Sequence, residues 1–248
     1  MKRKSTTRLG FILEDRLLFI LKKTVASWVT PKKCEIVFSS TKFAVGMIVP
    51  DLVLIAVPKD SHPTSASRQA LSLFECAVLA ELLHCGPRSS EQIATRLYAR
   101  PATLERAVVR LTRHELLSTG KKGILSARRR AFPASLRVIS IEAKLRRWKE
   151  AIQQAKSYLQ FSNTSYVALP WSVIEKNERI KLACAAEGVG LIAVTSNSTH
   201  ILLRPKNFKP LTAERIWLIK KTAAIAQSKS NGAGVHKALV TSRRRSKA

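Results

Sequence analysis

The stretch VISIEAKL, residues 138–145, decides the fold expected for this chain. Side chains alternate along a strand, so Glu142 and Lys144 share one face while Ile141 and Ala143 lie on the other. An acid and a base on a mostly apolar strand cost several kcal/mol of desolvation unless a metal, a partner or water compensates them. A solvated edge strand is the alternative, because period-two alternation is common in half-buried strands.

The charge balance indicates a polyanionic partner. The chain has 248 residues, 46% of them hydrophobic, with 44 Lys and Arg against 16 Asp and Glu, which gives a formal charge of +28. Such an excess destabilises a compact monomer unless counterions or a polyanion offset it. We therefore expect a folded, soluble protein that binds nucleic acid. An anionic membrane surface is the competing partner, but no lipidation signal and no long helix with a wholly basic face is apparent.

Cysteine usage and the apolar runs indicate a cytoplasmic protein. The four cysteines show no CxxC pair and no metal-site spacing with the five histidines, so neither a zinc knuckle nor a disulfide framework is expected; they are Cys34, Cys76, Cys85 and Cys184. The basic N-terminus resembles the start of a signal peptide, but Glu14, Asp15 and Arg16 break the apolar stretch after it. The longest apolar run, 46–58, is too short to span a bilayer.

Before the insert described below, the pattern is a helix followed by strands. Apolar residues at helical spacing predict a first helix that ends near Trp28. The runs 34–40 and 43–57 predict a strand, then one bent strand or a tight pair. Residues 58–69 have the composition of a linker. Residues 1–60 are therefore expected to form the first part of an interrupted domain.

Residues 70–131 have helical periodicity and form the expected insert. Three helices precede a basic ribbon, with Ser89 or Ser90 as a cap and Pro101 in the first turn of the third helix. This pattern resembles a winged helix-turn-helix domain, with the turn TGKKG at the wing tip. The alternative is a small protein-interaction module.

The winged-helix resemblance implies a set of basic residues that contact DNA. The third helix carries arginines opposite its apolar face, where phosphates or base edges can be reached. Two further arginines follow the VISIEAKL stretch and are close enough in sequence to clamp phosphates. The full set is Arg100, Arg106, Arg110, Arg113, Lys121, Lys122, Arg146 and Arg147.

After the insert, strands alternate with helices. Residues 135–228 therefore predict an α/β layer with parallel strand pairs, which completes the interrupted domain. A final helix, 211–227, carries Ile216 and Ile219 for docking on the core. The last segment, 229–248, is glycine-punctuated and basic, and it is expected to be a disordered, DNA-binding tail.

The parts before and after the insert together resemble the PD-(D/E)XK nuclease superfamily, with its restriction-endonuclease-like mixed sheet flanked by helices. Pro50-Asp51 matches the "PD" half of the motif, and Glu142-Ala143-Lys144 matches the "ExK" half. Gln154 and Tyr158, one helical turn apart, match the QxxxY motif of the RecB-like branch. Glu14 is placed like the helix-one acid of several members. The likeness covers about three quarters of the chain.

This resemblance implies a magnesium-dependent nuclease. Asp51 and Glu142 would supply carboxylates to one or two Mg²⁺ ions, for which Mn²⁺ would substitute, and the Ala143 carbonyl and Glu14 would add ligands. Lys144 would orient or deprotonate the nucleophilic water. Gln154 and Tyr158 would position DNA or the metal-binding strand.

Two functions of different classes follow from these observations. The first is a DNA endonuclease, acting on duplex or branched DNA, in which the winged helix delivers DNA to the site. The second is a DNA-binding regulator or scaffold that keeps the nuclease fold without turnover. A homodimer is expected only if paired cuts are made.

Overall fold

The structure is a computed structural model that describes residues 14–30, 33–58, 70–128 and 136–231, with side chains described up to residue 223. Most of the predicted linker, the first 13 residues and most of the predicted basic tail lie outside these ranges. The helices are α1 (Glu14–Thr24), α2 (Ala26–Val29), α3 (Leu73–Cys85), α4 (Ser90–Arg96), α5 (Pro101–Arg113), α6 (Trp148–Ser157), α7 (Trp171–Ile174), α8 (Arg179–Glu187) and α9 (Ala213–Asn231). The strands are β1 (Cys34–Thr41), β2 (Leu52–Pro58), β3 (Leu117–Thr119), β4 (Leu125–Ala127), β5 (Arg137–Ala143), β6 (Thr164–Pro170), β7 (Gly190–Val194) and β8 (Thr199–Leu203).

Six of these strands form one mixed sheet in the order β1-β2-β5-β6-β7-β8. Strand β5 pairs antiparallel with β2 and parallel with β6, and β6 pairs parallel with β7. The prediction of an α/β fold with parallel pairs is confirmed. Because β5 lies inside the sheet, the alternative of a solvated edge strand is wrong.

Helices cover both faces of the sheet, as the alternation of apolar residues along β5 requires. On one face, Ile139 and Ile141 pack with Leu17 of α1. On the other face, α6 and α8 pack over β6 and β7, where the small residues Ala151 and Ala155 allow α6 to approach closely. The sheet is thus buried on both sides, which is typical of strands joined by helical crossovers.

Three element boundaries differ from the sequence prediction. The run 43–57 is a strand only from Leu52, because a turn precedes it in which Gly46 adopts a φ of +61° and the Val45 amide donates to the Ile48 carbonyl at 2.8 Å. The first helix is divided at Val25 into α1 and α2. The last helix continues to Asn231, beyond the expected start of the tail at 229.

Between β2 and β5 the chain forms α3, α4, α5 and the β3–β4 hairpin, which share a core of their own. Ser89 caps α4 in a reciprocal pair with Gln92, and Pro101 occupies the first turn of α5. Main-chain hydrogen bonds between Arg88 and Leu125 add a short third segment to the hairpin.

Helix α9 contacts both cores. Ile216 is buried in the core of the insert, whereas Leu218 and Ile219 pack against the sheet. The Arg215 guanidinium donates to the carbonyls of Leu136 and Phe161, at 2.9 and 3.1 Å, where β5 begins and where the chain enters β6. The insert is therefore attached to the sheet through one helix as well as through its own two ends. No helix within the described ranges is both long enough and apolar enough to cross a bilayer.

Helix α5 offers a test of the insert's core. Leu111 is fully buried, whereas Val109, two residues away, is 52% exposed. We predict that Leu111→Ala lowers the free energy of unfolding by about 2–5 kcal/mol, because it leaves a cavity. The matched change Val109→Ala should stay within about 0.5 kcal/mol of wild type. Urea denaturation measures both, and equal effects would contradict the packing described.

Candidate functional site

The site lies where β2 begins and β5 ends. Because these neighbouring strands are antiparallel, with Leu52 opposite Ile141, the residue before β2 lies beside the last residues of β5. Asp51 is that residue, and its Oδ2 accepts a hydrogen bond from the Ala143 amide at 2.9 Å. Two segments 92 residues apart in sequence are thus joined at the motif predicted from Pro50-Asp51 and Glu142-Ala143-Lys144.

The Glu142 carboxylate is buried, with 2% of the residue exposed, and both of its oxygens are bonded. The Lys144 ammonium lies 2.7 Å from Oε1, and the Tyr158 hydroxyl donates to Oε2. Lys144 follows the last residue of β5, and its amide donates to the Ala168 carbonyl of β6 at 3.1 Å. Strand β6 therefore fixes the main chain from which the lysine side chain returns to Glu142.

Electrostatics at the site combine burial with opposite charges. Burial raises the pKa of Glu142, and the hydrogen bonds from Lys144 and Tyr158 offset this increase only in part. Burial also raises the pKa of Asp51, against the Ala143 amide and the Lys144 charge, which lower it. Desolvation lowers the pKa of Lys144, but the hydrogen bond and charge of Glu142 outweigh it, so the net pKa is raised. The lysine is therefore held as a cation at neutral pH.

The other predicted site residues are placed less directly. Gln154 lies on α6 one turn before Tyr158, and its side-chain oxygen is buried without a hydrogen-bond partner. Glu14 is the exposed first residue of α1, and its negative charge raises the pKa of both Asp51 and Lys144. Glu14 is thus near the site, Gln154 lies one turn from the tyrosine that contacts Glu142, and any direct role for either stays a prediction.

The donor set can be compared with what a metal needs. Among the described residues, no group of three or more His, Cys, Asp and Glu side chains is arranged to hold a metal ion. Asp51, Glu142 and Glu14 therefore do not form one three-carboxylate cluster. Two carboxylates, the Ala143 carbonyl and the unpartnered Gln154 oxygen are nevertheless all hard oxygen donors, which suit Mg²⁺ or Mn²⁺. By donor chemistry, the residues fit a divalent cation.

The predicted DNA-contacting residues fall into two groups. All eight are exposed, and six of them form the first group: Arg100, Arg106 and Arg113 of the insert, Lys121 and Lys122 at the turn of the hairpin, and Arg146 before α6. The other two form ion pairs: Arg110 lies 3.0 Å from the buried Glu75 of α3, and Arg147 lies 2.9 Å from Glu150. Arg110 thus fixes α5 against α3 and is less available for a ligand than the other arginines of α5.

A cavity that was not predicted from the sequence lies at the β8 edge of the sheet. Trp28, His200, Ile201, Leu202 and Arg204 line this cavity, whose volume is about 280 Å³. These residues come from α2 and from the region of β8, which are far apart in sequence. The one signal for this cavity in the sequence was Trp28, a large aromatic residue near the predicted end of the first helix.

Comparisons with known proteins do not identify a family. No family model and no curated protein matches the chain. A solved protein of unknown function from Silicibacter pomeroyi is similar over 87% of this chain and 93% of that one, with 13% identity and a TM-score of 0.38. A likeness at this level supports no conclusion about fold or function.

The Glu142–Lys144 pair has a pH-dependent effect on stability. The raised pKa of Glu142 means that the folded state binds the carboxyl proton more tightly than the unfolded chain does. Ionisation of Glu142 therefore lowers the free energy of unfolding as the pH rises through this pKa. Lys144→Met should raise this pKa further. We predict a loss of about 3–5 kcal/mol at pH 7, which shrinks as the pH falls and Glu142 is protonated.

Urea denaturation across pH in EDTA measures this dependence, with wild type compared at each pH. Lys156→Met is the control, because Lys156 forms a pair of the same 2.7 Å length with Glu187 at the surface. Removal of that exposed pair should cost less than about 1 kcal/mol. A Lys144→Met deficit that stays constant with pH would contradict the interpretation.

Proposed function

We propose that this protein is a metal-dependent DNA endonuclease of the PD-(D/E)XK type, with an inserted winged helix that positions the DNA. The observation that carries the proposal is the convergence of Asp51, Glu142 and Lys144 at the junction of β2 and β5. Two carboxylates and a lysine that meet where two inner strands of a mixed sheet begin and end match the motif predicted from sequence. An ion pair with a purely structural role needs one acid and one base, and it does not require a second acid such as Asp51 at the same place.

We assign a separate role to each residue of this site. Asp51, Glu142 and the Ala143 carbonyl would hold the divalent cation, Mg²⁺ or Mn²⁺, with Gln154 as a further oxygen donor. When bound, such a cation polarises the scissile phosphate and lowers the pKa of a bound water. Tyr158 holds the Glu142 carboxylate in place, which limits its motion when a ligand enters.

Lys144 would act on the nucleophilic water or on the phosphate charge. Its ammonium is held as a cation by Glu142, and only 13% of its side chain is exposed. A positive charge in a partly desolvated site stabilises the negative charge that develops during phosphodiester hydrolysis. A general-base role requires that substrate binding first weakens the pair with Glu142, because a charged ammonium cannot accept a proton.

The catalytic proposal predicts loss of cleavage in three variants. Asp51→Asn, Glu142→Gln and Lys144→Met should each lower Mg²⁺-dependent nicking of plasmid by at least about 100-fold, the scale of losing a positioned catalytic group. Asp15→Asn is the matched control, because Asp15 is a neighbouring acid on α1 whose side chain is 82% exposed. It should cleave like wild type. Equal cleavage by all four variants would show that the activity belongs elsewhere.

A second candidate is a DNA-binding regulator or scaffold without turnover. The observation that favours it is the exposed basic surface of the insert, where Arg106 and Arg113 lie on the solvent side of α5. Together with a charge of +28, this surface supports binding of a duplex without a metal. The two candidates share this surface and differ only in whether cleavage occurs.

The role of α5 can be tested by salt dependence. Arg106→Gln and Arg113→Gln should each weaken binding of a labelled duplex in EDTA and reduce the slope of log K against log salt by about 0.9, the value for one phosphate contact. Arg96→Gln is the control, because Arg96 forms an ion pair with Glu81 of α3. Fluorescence anisotropy at several salt concentrations gives the slopes. An unchanged slope in both variants would remove α5 from the interface.

A further inference from the structure

We propose that the cavity between α2 and β8 is a binding site for an unpaired nucleotide of single-stranded nucleic acid. The base would stack on Trp28, and the adjacent phosphate would bind Arg204. This site is separate from the residues assigned to catalysis. It rests on the proposed function only in taking nucleic acid as the partner.

The side chains of the cavity combine an aromatic surface with positive charge. Trp28 is 55% exposed although it is a large apolar residue, and Arg204 and His200 are also exposed. The five lining residues include no acid. An exposed indole beside a guanidinium is suited to a ligand that has both a flat ring and a negative charge. A nucleotide has both, and its base stacks on an aromatic side chain whatever the sequence.

The walls of the cavity are held in place by hydrogen bonds. The Thr24 and Thr199 hydroxyls lie 2.9 Å apart, which fixes the end of α1 against the start of β8. The Ser198 hydroxyl lies 3.0 Å from Nε2 of His200 and orients the ring. Ile201 packs into the core below. The backbone that carries the cavity and the His200 ring are therefore positioned before a ligand arrives, which lowers the entropy cost of binding.

The position of the cavity is consistent with one strand that reaches both sites. Strand β8 is an outer strand of the sheet and lies three positions from β5, or about 14 Å in the hydrogen-bonding direction. By register across β6 and β7, Glu142 lies level with Leu203 at the end of β8, next to Arg204. This lateral spacing is within reach of a few unpaired nucleotides, and because Ile201 packs on the face of Ile141, opposite Glu142, the strand would pass around the end of the sheet. A duplex cannot bind the cavity in this way, since its bases are stacked and their faces are not free to stack on Trp28.

A second copy of the chain is the competing occupant, because an outer strand can pair with another strand. The charge of +28 opposes association of two copies at this edge. The five residues that line the cavity also supply no acid that could pair with Arg204 of a second copy. We therefore assign the site to an anionic aromatic ligand.

The test compares Trp28→Ala with Phe19→Ala in the full-length protein. Phe19 is a matched control, because it is also an exposed aromatic residue, at 58%, and lies outside the cavity. Binding of a labelled oligothymidylate in EDTA should weaken by roughly 5- to 100-fold in Trp28→Ala, the range for loss of one base stack, and stay unchanged in Phe19→Ala. An abasic oligonucleotide of the same length should bind both variants equally.

A second pair of variants tests the phosphate contact. Arg204→Gln should reduce the slope of log K against log salt for oligothymidylate by about 0.7, whereas the exposed Arg179→Gln should not. Competition with thymidine monophosphate distinguishes a site for a free nucleotide from a site for a strand. Weak competition indicates a strand, because only a strand also contacts the rest of the basic surface.

Three results would overturn the proposal: equal weakening of abasic and oligothymidylate binding, no effect of Trp28→Ala, or a dimer that Trp28→Ala dissociates in sedimentation. The proposal is also separable from catalysis. If Asp51→Asn cleaves like wild type but the Trp28 effect persists, the catalytic proposal fails and this one holds.

Discussion

The structure depends on keeping one carboxylate inside the protein. A carboxylate that is almost fully buried is tolerated only when its oxygens are bonded to a charge and to hydrogen-bond donors. For Glu142, Lys144 supplies the charge and Tyr158 supplies the donor. The lysine comes from the end of β5, anchored to β6, and the tyrosine follows α6. The relative positions of these three elements are therefore fixed by the same interaction that shapes the candidate site.

The insert is held in a defined orientation by α9. Two residues of this helix that are two positions apart, Ile216 and Leu218, belong to different cores, and Arg215 donates to the main chain at the start of β5. A rotation of the insert would separate one set of these contacts. The insert that carries the basic residues of α5 is thus held at a fixed angle to the sheet, which matters for any ligand that contacts both.

Much of the fold could be predicted from local patterns. Alternation in 138–145 placed Glu142 and Lys144 on one face, and the helical period after residue 70 located α3, α4 and α5. The meeting of Asp51 with Ala143 could be predicted only through a family resemblance, because no local rule pairs residues 92 positions apart. The run 43–57 was compatible with one bent strand or a tight pair, and the pattern did not place the turn at Gly46, because a run of apolar residues resembles a strand whether or not a glycine reverses the chain within it.

Other contacts could not be predicted from the sequence, because they too join residues that only tertiary packing brings together. Arg110 was assigned to DNA from its place on α5, but its partner Glu75 lies on another helix, and the packing angle between the two decides which contact forms. The cavity at Trp28 likewise requires α2 to lie beside β8. Such juxtapositions are set by tertiary packing, which composition and spacing do not report.

The placement of the insert between β2 and β5 has a consequence for synthesis of the chain. The β1–β2 hairpin is synthesised first, and its partner β5 follows only after roughly 80 further residues. This separation costs little in loop-closure entropy, but one edge of β2 stays unpaired until β5 is made. During that time β2 exposes an unpaired, strongly apolar edge, Leu52–Ala56, which is a template for aggregation. The segments of the insert are contiguous in sequence and can begin to fold while the hairpin waits, and α9 later completes their core. Folding of the insert shortens the flexible loop that must close before β5 covers that edge.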